Sequence, residues 1–155
     1  MGAGKTLVGA LVADRAHAQF VDLDTMVEDK AGMSIAEIFA THSEETFREY
    51  EKETLPSVLK PGVVVALGGG VVIDDDNWRL VHENATSVYL EVPFDVLWER
   101  VRHFHMRPLI LNRSASEVEE LLERRRPRYE QATHRLDGTR PPGELADEVL
   151  KLWSA

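Results

Sequence analysis

The chain has no cysteine in its 155 residues, which excludes disulfides, thiolate-held zinc and a cysteine nucleophile. No apolar run approaches the length of a membrane span,. There is no internal repeat and no low-complexity tract. Positive charge is scarce: 18 lysines and arginines stand against 27 aspartates and glutamates, a formal net charge of −9. That balance argues against nucleic acid or an anionic membrane as a partner. His103 and His105 flank Phe104 without a third metal ligand nearby, so a histidine metal site is not expected. Met1 leads directly into glycines and a lysine rather than an apolar stretch, and a cytoplasmic address is expected.

What is present reads as one globular domain over residues 1–155. Hydrophobic residues make up 43% and charged residues 29%, proportions that supply a real core at this length. The charge is unevenly placed: ten of the thirteen arginines lie between Arg100 and Arg140. An arginine-rich third in an acidic chain suits small anionic ligands. Salt bridges along solvated helices would use the same residues.

Helix and strand signals alternate. Leu7, Val8, Leu11 and Val12 form an apolar stripe and predict a helix over 5–17,. Phe20-Val21-Asp22 reads as a strand end. A helix follows Asp24, with Thr25 and Glu28 spaced as a capping box and Gly32 as its stop,. Ser34 and Glu37 form a second box, opening a helix over 35–40. A longer amphipathic helix covers 44–55 and is ended or kinked by Pro56,. Val63-Val64-Val65-Ala66-Leu67 is a continuous apolar run between Pro61-Gly62 and Gly68-Gly69-Gly70, the mark of a strand buried on both faces,. Further helices are predicted over 75–83, from Pro93 through Val101, from Ser116 and Glu119 through Arg126, and over 143–153, with strands at 87–92 and 135–137. The alternation implies a three-layer α/β domain with a parallel sheet, in which ligands bind beyond the carboxyl ends of the strands. The polar stretch at about 103–114 interrupts the pattern and is a candidate lid.

Met1-Gly2-Ala3-Gly4-Lys5-Thr6 matches the second part of a phosphate-binding loop, G-x-x-x-x-G-K-[ST],. Glycines turn backbone N–H groups towards a phosphate, and the following helix offers its N-terminus. Lys5 would reach the β- and γ-phosphates, and the Thr6 hydroxyl would ligate Mg²⁺. Asp22 and Asp24, two apart in an extended segment, would face one cleft, one serving Mg²⁺ and the other accepting a hydroxyl proton. They also suit a plain strand-end turn with Asp24 as helix cap. Gly68, Gly69 and Gly70 let the backbone approach a ligand closely, although a loose turn has the same composition. Arg48 is placed to clamp a carboxylate; an i, i+3 ion pair with Glu51 on a solvated face is the plain reading, and the two are compatible, since Glu51 could orient Arg48. Arg107, in the candidate lid, would neutralise a transferring phosphoryl group or serve merely as a surface arginine. The run Arg124-Arg125-Arg126-Pro127-Arg128 also complements a helix dipole near a C-terminus.

Taken in order, these residues resemble the shikimate kinase family over nearly the whole chain. The resemblance rests on Gly2-Ala3-Gly4-Lys5-Thr6, Asp22-x-Asp24, Gly32-x-Ser34-Ile35-x-Glu37-Ile38-Phe39, Phe47-Arg48-x-x-Glu51, Gly68-Gly69-Gly70, Arg107-Pro108-Leu109 and Arg125-x-Pro127-x-Tyr129. It implies a nucleoside-monophosphate-kinase-like phosphate-loop fold with a mobile lid. The implied reaction is transfer of the γ-phosphate of ATP to the 3-hydroxyl of shikimate, with Mg²⁺, by a monomer. By resemblance, Asp24 is the base and contacts shikimate. Arg48 and Arg125 hold its carboxylate, and the backbone of Gly68, Gly69 and Gly70 lines the pocket with Phe39 and Phe47 as walls. Thr6 and Asp22 serve the metal. Gly2, Ala3, Gly4, Lys5, Thr6 and Arg107 hold the phosphates, and Arg100, Arg140 and Pro142 lie near the adenine.

Two departures from the family pattern, Ser43 before Glu44 and Arg128 before Tyr129, are tolerable. The family's phosphate loop follows a central strand, and the loop's first two positions here would fall before Met1. The expectation is therefore an unstable or weakly active chain, and a kinase once about ten further residues precede Met1. A gluconate-kinase-like enzyme and a nucleotide-binding piece of a fused aromatic-pathway enzyme are the alternatives.

Overall fold

The structure, a computed structural model, describes residues 2–102 and 113–153. Arg107, His103, His105 and most of the expected lid lie outside the described residues. The elements in chain order are α1 (Lys5–Ala16), β1 (Gln19–Asp22), α2 (Leu23–Ala31), α3 (Ile35–Thr41), α4 (Glu44–Val58), β2 (Val63–Ala66), a 3-10 turn (Val71–Ile73), α5 (Asp75–Asn84), β3 (Val88–Glu91), α6 (Phe94–Val101), α7 (Ala115–Tyr129), β4 (His134–Asp137) and α8 (Pro142–Trp153).

The helix starts show how local chemistry sets boundaries. The Ser34–Glu37 box opens α3 as expected, with both reciprocal hydrogen bonds made,. At α2 the expectation is corrected. Asp22, not Asp24 or Thr25, is the cap, and its carboxylate accepts from the Asp24 N–H at 3.1 Å. The box at α7 is likewise Ser114 with Glu117 rather than Ser116 with Glu119. Pro56 and Pro127 each lie within the last turn of a helix that runs two residues further. A proline so near the end removes one ladder bond and leaves the helix intact.

The four strands form two parallel pairs. β1 lies on β2 with Gln19 opposite Val63 and Asp22 opposite Ala66. β3 lies on β4 with Val88 opposite His134 and Glu91 opposite Asp137. Among the described residues no ladder joins β2 to β3.

One helical layer packs on both pairs, and a second packs on the β1–β2 pair. On one face, Val64 of β2, Val88 and Leu90 of β3 and Leu136 of β4 pack with Val8 and Val12 of α1 and Leu145 and Ala146 of α8. On the other, Val63 and Val65 pack with Val21, Leu23, Leu55, Val58, Val72 and Val81. A smaller cluster of Val27, Ile38 and Phe47 ties α2, α3 and α4 together. Alternation along β2 thus feeds both layers, which is why its sequence is uniformly apolar. Val63, Val64 and Val65 are nevertheless only half-buried, because the second edge of β2 borders a cavity of about 490 Å³ reaching to β3. Leu7 is a second departure: it is 55% exposed, outside the buried stripe of α1.

Leu55 of α4 is fully buried at the centre of the first cluster. Leu55→Ala is expected to lower unfolding free energy by about 2–5 kcal/mol. A urea midpoint close to that of the wild type contradicts this packing.

Candidate active site

The carboxyl ends of β1 and β2 and the start of α1 meet at one edge. Gly2 and Gly4 hold φ of 69° and 88°, left-handed values that glycine adopts without strain. No side chain caps α1, so its first N–H groups are directed at whatever anion lies beyond the loop. The Thr6 hydroxyl donates to Asp22 Oδ2 at 2.7 Å. Arg100 donates to the Gly2 carbonyl at 3.2 Å, joining α6 to the loop.

Asp22 ends β1 and Asp24 sits in the first turn of α2. The two carboxylates are therefore not side by side on an extended segment. Asp22 turns to Thr6 and the α2 cap, while Asp24 turns to the glycine run. A Cβ placed on Gly68 would come within 3.0 Å of Asp24 Oδ1 and 3.1 Å of Glu51 Oε1. One on Gly69 would lie 2.7 Å from the Tyr129 hydroxyl, and one on Gly70 would run into the Arg48 guanidinium. The three glycines are thus a close-packed floor, not a loose turn. Four side chains from α2, α4 and α7 press on it.

Arg48 donates to Glu51 Oε2 at 2.5 Å and to Glu44 Oε1 at 2.9 Å, and its guanidinium lies 5.1 Å from the centre of the Phe47 ring. Phe39 and Phe47 are 5.3 Å apart and back this corner. Burial works against the Arg48 charge, but Glu51 and Glu44 outweigh it and hold the guanidinium firmly protonated. Glu51 is 1% exposed. Burial pushes its carboxyl above the ordinary glutamate range, with Arg48 and Arg125 opposing and Asp24 adding to the rise,. The Tyr129 hydroxyl donates to the Gly69 carbonyl at 2.7 Å. Burial raises its pKa while Arg125, within its hydrogen-bonding reach, pulls the other way. Arg125 is thereby brought to the same corner as Arg48.

The structure thus gathers Asp24, Arg48, Gly68, Gly69, Gly70 and Arg125 around one floor, next to Gly2, Gly4, Lys5, Thr6 and Asp22. Arg140 lies between β4 and α8, and Pro142 is the first residue of α8. They stand at the entry to α8, where Arg140 pairs with Glu144 and Glu148. Arg126 pairs with Glu123 and Glu91, and Arg128 with Asp75, so the salt-bridge reading holds for these two. Sequence reasoning assigned no role to Glu44 or Tyr129. The spacing to Arg48 was a signal for the first, and nothing local signals a bond from Tyr129 to Gly69.

Among the described residues no cluster of three or more His, Asp or Glu is arranged to hold a metal, and no helix is long and apolar enough to cross a membrane. A phosphate-binding loop at the carboxyl edge of parallel strands, with a cationic, carboxylate-bearing pocket beside it, defines an α/β phosphate-loop kinase.

Comparison with known proteins agrees. A family model described as shikimate kinase matches residues 1–153. The chain is 39% identical over 154 residues to a shikimate kinase of Streptococcus gordonii, covering 96% of this chain and 93% of the relative. A crystal structure of shikimate kinase from Aquifex aeolicus superposes with a TM-score of 0.86 at 34% identity, covering 97% of this chain and 90% of that one. Shikimate kinase from Acinetobacter baumannii, solved in complex with shikimate, gives 0.93 at 30% identity, covering 98% and 87%. The chain belongs to the shikimate kinase family.

A carboxyl whose pKa is raised by folding stabilises most below its unfolded value, about 4.3. That contribution is lost as pH rises through the folded value. Denaturant midpoints measured from about pH 4 upward are therefore expected to fall for the wild type relative to Glu51→Gln, which cannot titrate. Parallel profiles for the two proteins contradict the burial assigned to Glu51.

Proposed function

We infer that this chain transfers the γ-phosphoryl group of ATP to the 3-hydroxyl of shikimate, giving shikimate 3-phosphate in the route to chorismate and the aromatic amino acids. The observation that carries the reading is the convergence of Asp24 and the Glu51-braced Arg48 on the glycine floor, next to an uncapped helix start. Shikimate is a small polyhydroxy acid. Its carboxylate calls for a rigid cation, and its alcohol calls for a proton acceptor.

In this reading Arg48 and Arg125 hold the carboxylate through charge-assisted hydrogen bonds. Glu44 and Glu51 fix the Arg48 fork before substrate arrives, so little side-chain entropy is lost on binding. The Gly68, Gly69 and Gly70 backbone lets the ring lie close. The 3-hydroxyl oxygen forms a bond to the γ-phosphorus as the bond to the ADP oxygen breaks, and the hydroxyl proton passes to the Asp24 carboxylate. Lys5 and the N–H groups of Gly2, Ala3, Gly4 and Thr6 meet the phosphates. Arg107 adds a cation from outside the described residues, and Arg100, Arg140 and Pro142 serve the adenine end. The Thr6 hydroxyl and Asp22 carboxylate are hard oxygen donors suited to Mg²⁺, an ion that keeps most of its shell as water and phosphate oxygens. When bound, Mg²⁺ offsets phosphate charge. A monomeric, cytoplasmic enzyme of one domain over residues 1–155 completes the reading.

Shikimate-dependent ADP release, followed in a coupled assay with gluconate as the comparison substrate, tests the reaction. Asp24→Asn is expected to reduce turnover by about 10²–10⁴-fold with ATP binding retained. Arg48→Ala is expected to raise the KM for shikimate about tenfold to a hundredfold. Unchanged kinetics in both variants would remove the site.

A further inference from the structure

Tyr129 is the last residue of α7 and reaches across to the glycine run. Its hydroxyl donates to the Gly69 carbonyl at 2.7 Å, and a Cβ on Gly69 would lie 2.7 Å from that hydroxyl. Its ring packs on the first apolar cluster and lies 5.5 Å from the Tyr89 ring. A phenylalanine would fill the same space. The hydroxyl is therefore the part that apolar packing does not explain, and two features of its surroundings give it a use.

The first is the peptide that it holds. The Gly68 carbonyl accepts from the Val71 N–H at 3.3 Å, and the Gly70 carbonyl accepts from the Ile73 N–H at 3.1 Å. Backbone thus fixes two of the three glycine carbonyls, while the Gly69 carbonyl relies on Tyr129. Residues 69 and 70 are both glycine, so the peptide between them turns over at little steric cost unless it is tied. Among the described residues every peptide bond is trans. In a trans peptide the C=O and the following N–H point opposite ways. By drawing the carbonyl to α7, Tyr129 directs the Gly70 N–H away from α7. That N–H has no acceptor among the described residues, and Gly70 is the residue against which the Arg48 guanidinium rests.

The second is Arg125, one turn before Tyr129 on the same helix, where residues four apart are neighbours. Arg126 and Arg128 are taken by ion pairs with Glu123, Glu91 and Asp75. Arg125 forms no ion pair among the described residues. Its charge acts instead on Glu51 and on the Tyr129 hydroxyl, which lies within its hydrogen-bonding reach. A tyrosine oxygen that gives its proton to Gly69 keeps lone pairs for an arginine N–H. The hydroxyl thus stands between a cation and a carbonyl and couples the two.

We propose that Tyr129 is a positioning residue for the substrate's carboxylate: its hydroxyl locks the Gly69–Gly70 peptide in one orientation and seats Arg125 at the corner held by Arg48. The inference rests on the shikimate reading and adds to it a residue that acts through its neighbours rather than on the substrate itself. The simpler account is that a buried hydroxyl has taken the nearest carbonyl. That account gives Tyr129 a share in stability and none in substrate binding.

Tyr129→Phe keeps the ring and removes the hydroxyl. Tyr89→Phe, on the adjoining ring, is the control for loss of a hydroxyl in general. The KM for shikimate is expected to rise about tenfold in Tyr129→Phe, with kcat and the KM for ATP within about twofold of the wild type. In Tyr89→Phe it is expected to stay at the wild-type value. The second readout is amide relaxation by NMR in the ligand-free protein. The Gly70 order parameter is expected to be about 0.85 in the wild type and below about 0.6 in Tyr129→Phe, with the amides of α1 unchanged. An unchanged shikimate KM or an unchanged Gly70 order parameter overturns the proposal, whatever happens to the melting temperature, and so does an equal rise of KM in both variants. A wild-type chain that neither binds nor phosphorylates shikimate defeats the shikimate reading instead. In that event the Gly70 amide still decides: loss of its order in Tyr129→Phe supports the lock, and its persistence overturns it.

Discussion

Glu51 is almost wholly buried, and Arg48 is the cation that makes a charged group tolerable there. Removing one partner of a buried pair strands the other, at a cost of about 3–5 kcal/mol. The pair is more than a stabilising contact, because both of its members press on the glycine run. Glu51 stands over Gly68 and Arg48 over Gly70. A side chain on Gly70 would run into Arg48, one on Gly68 would crowd Asp24 and Glu51, and one on Gly69 would meet the Tyr129 hydroxyl. The glycines, the ion pair and Asp24 are thus one packing solution, and the chemistry proposed for the site depends on it.

The fold delivers the parts of this solution from four directions. β1 ends at Asp22, whose capping of α2 sets Asp24 in the first turn. β2 ends just before the glycines. α4, opened by Ser43, carries Arg48 and Glu51 one turn apart. α7 brings Arg125 and lets Tyr129 hold the Gly69 carbonyl. The start of α1 closes the arrangement through Thr6. Phosphoryl transfer demands mainly placement and charge, and in the proposed reading these elements supply both: cations for a carboxylate and for phosphates, and Asp24 as the acceptor of a hydroxyl proton.

Much of this was legible in the residues. The run from Val63 to Leu67 announced a doubly covered strand. Ser34 with Glu37 announced a helix start, and Phe47-Arg48-x-x-Glu51 announced a braced arginine. What was not legible is physical in origin. Asp22, Asp24 and Thr25 are all good caps, and only the length of β1 decides among them. Tyr129 and Gly69 are 60 residues apart, so no local pattern can pair them. Leu7 belongs to the apolar stripe by spacing, yet α1 is covered over a narrower arc than the stripe suggests. The separation of β2 from β3 depends on neighbours, which a strand's own composition does not report.

Gly70→Ala isolates the central claim. The backbone at Gly70 has φ of −91°, which alanine adopts freely, so the methyl group acts only by meeting Arg48. Calorimetric titration with shikimate should show a dissociation constant raised at least about tenfold, with affinity for an unreactive ATP analogue unchanged. Equal shikimate affinity in Gly70→Ala and the wild type would mean that Arg48 does not need that floor, and the account of the site would fail.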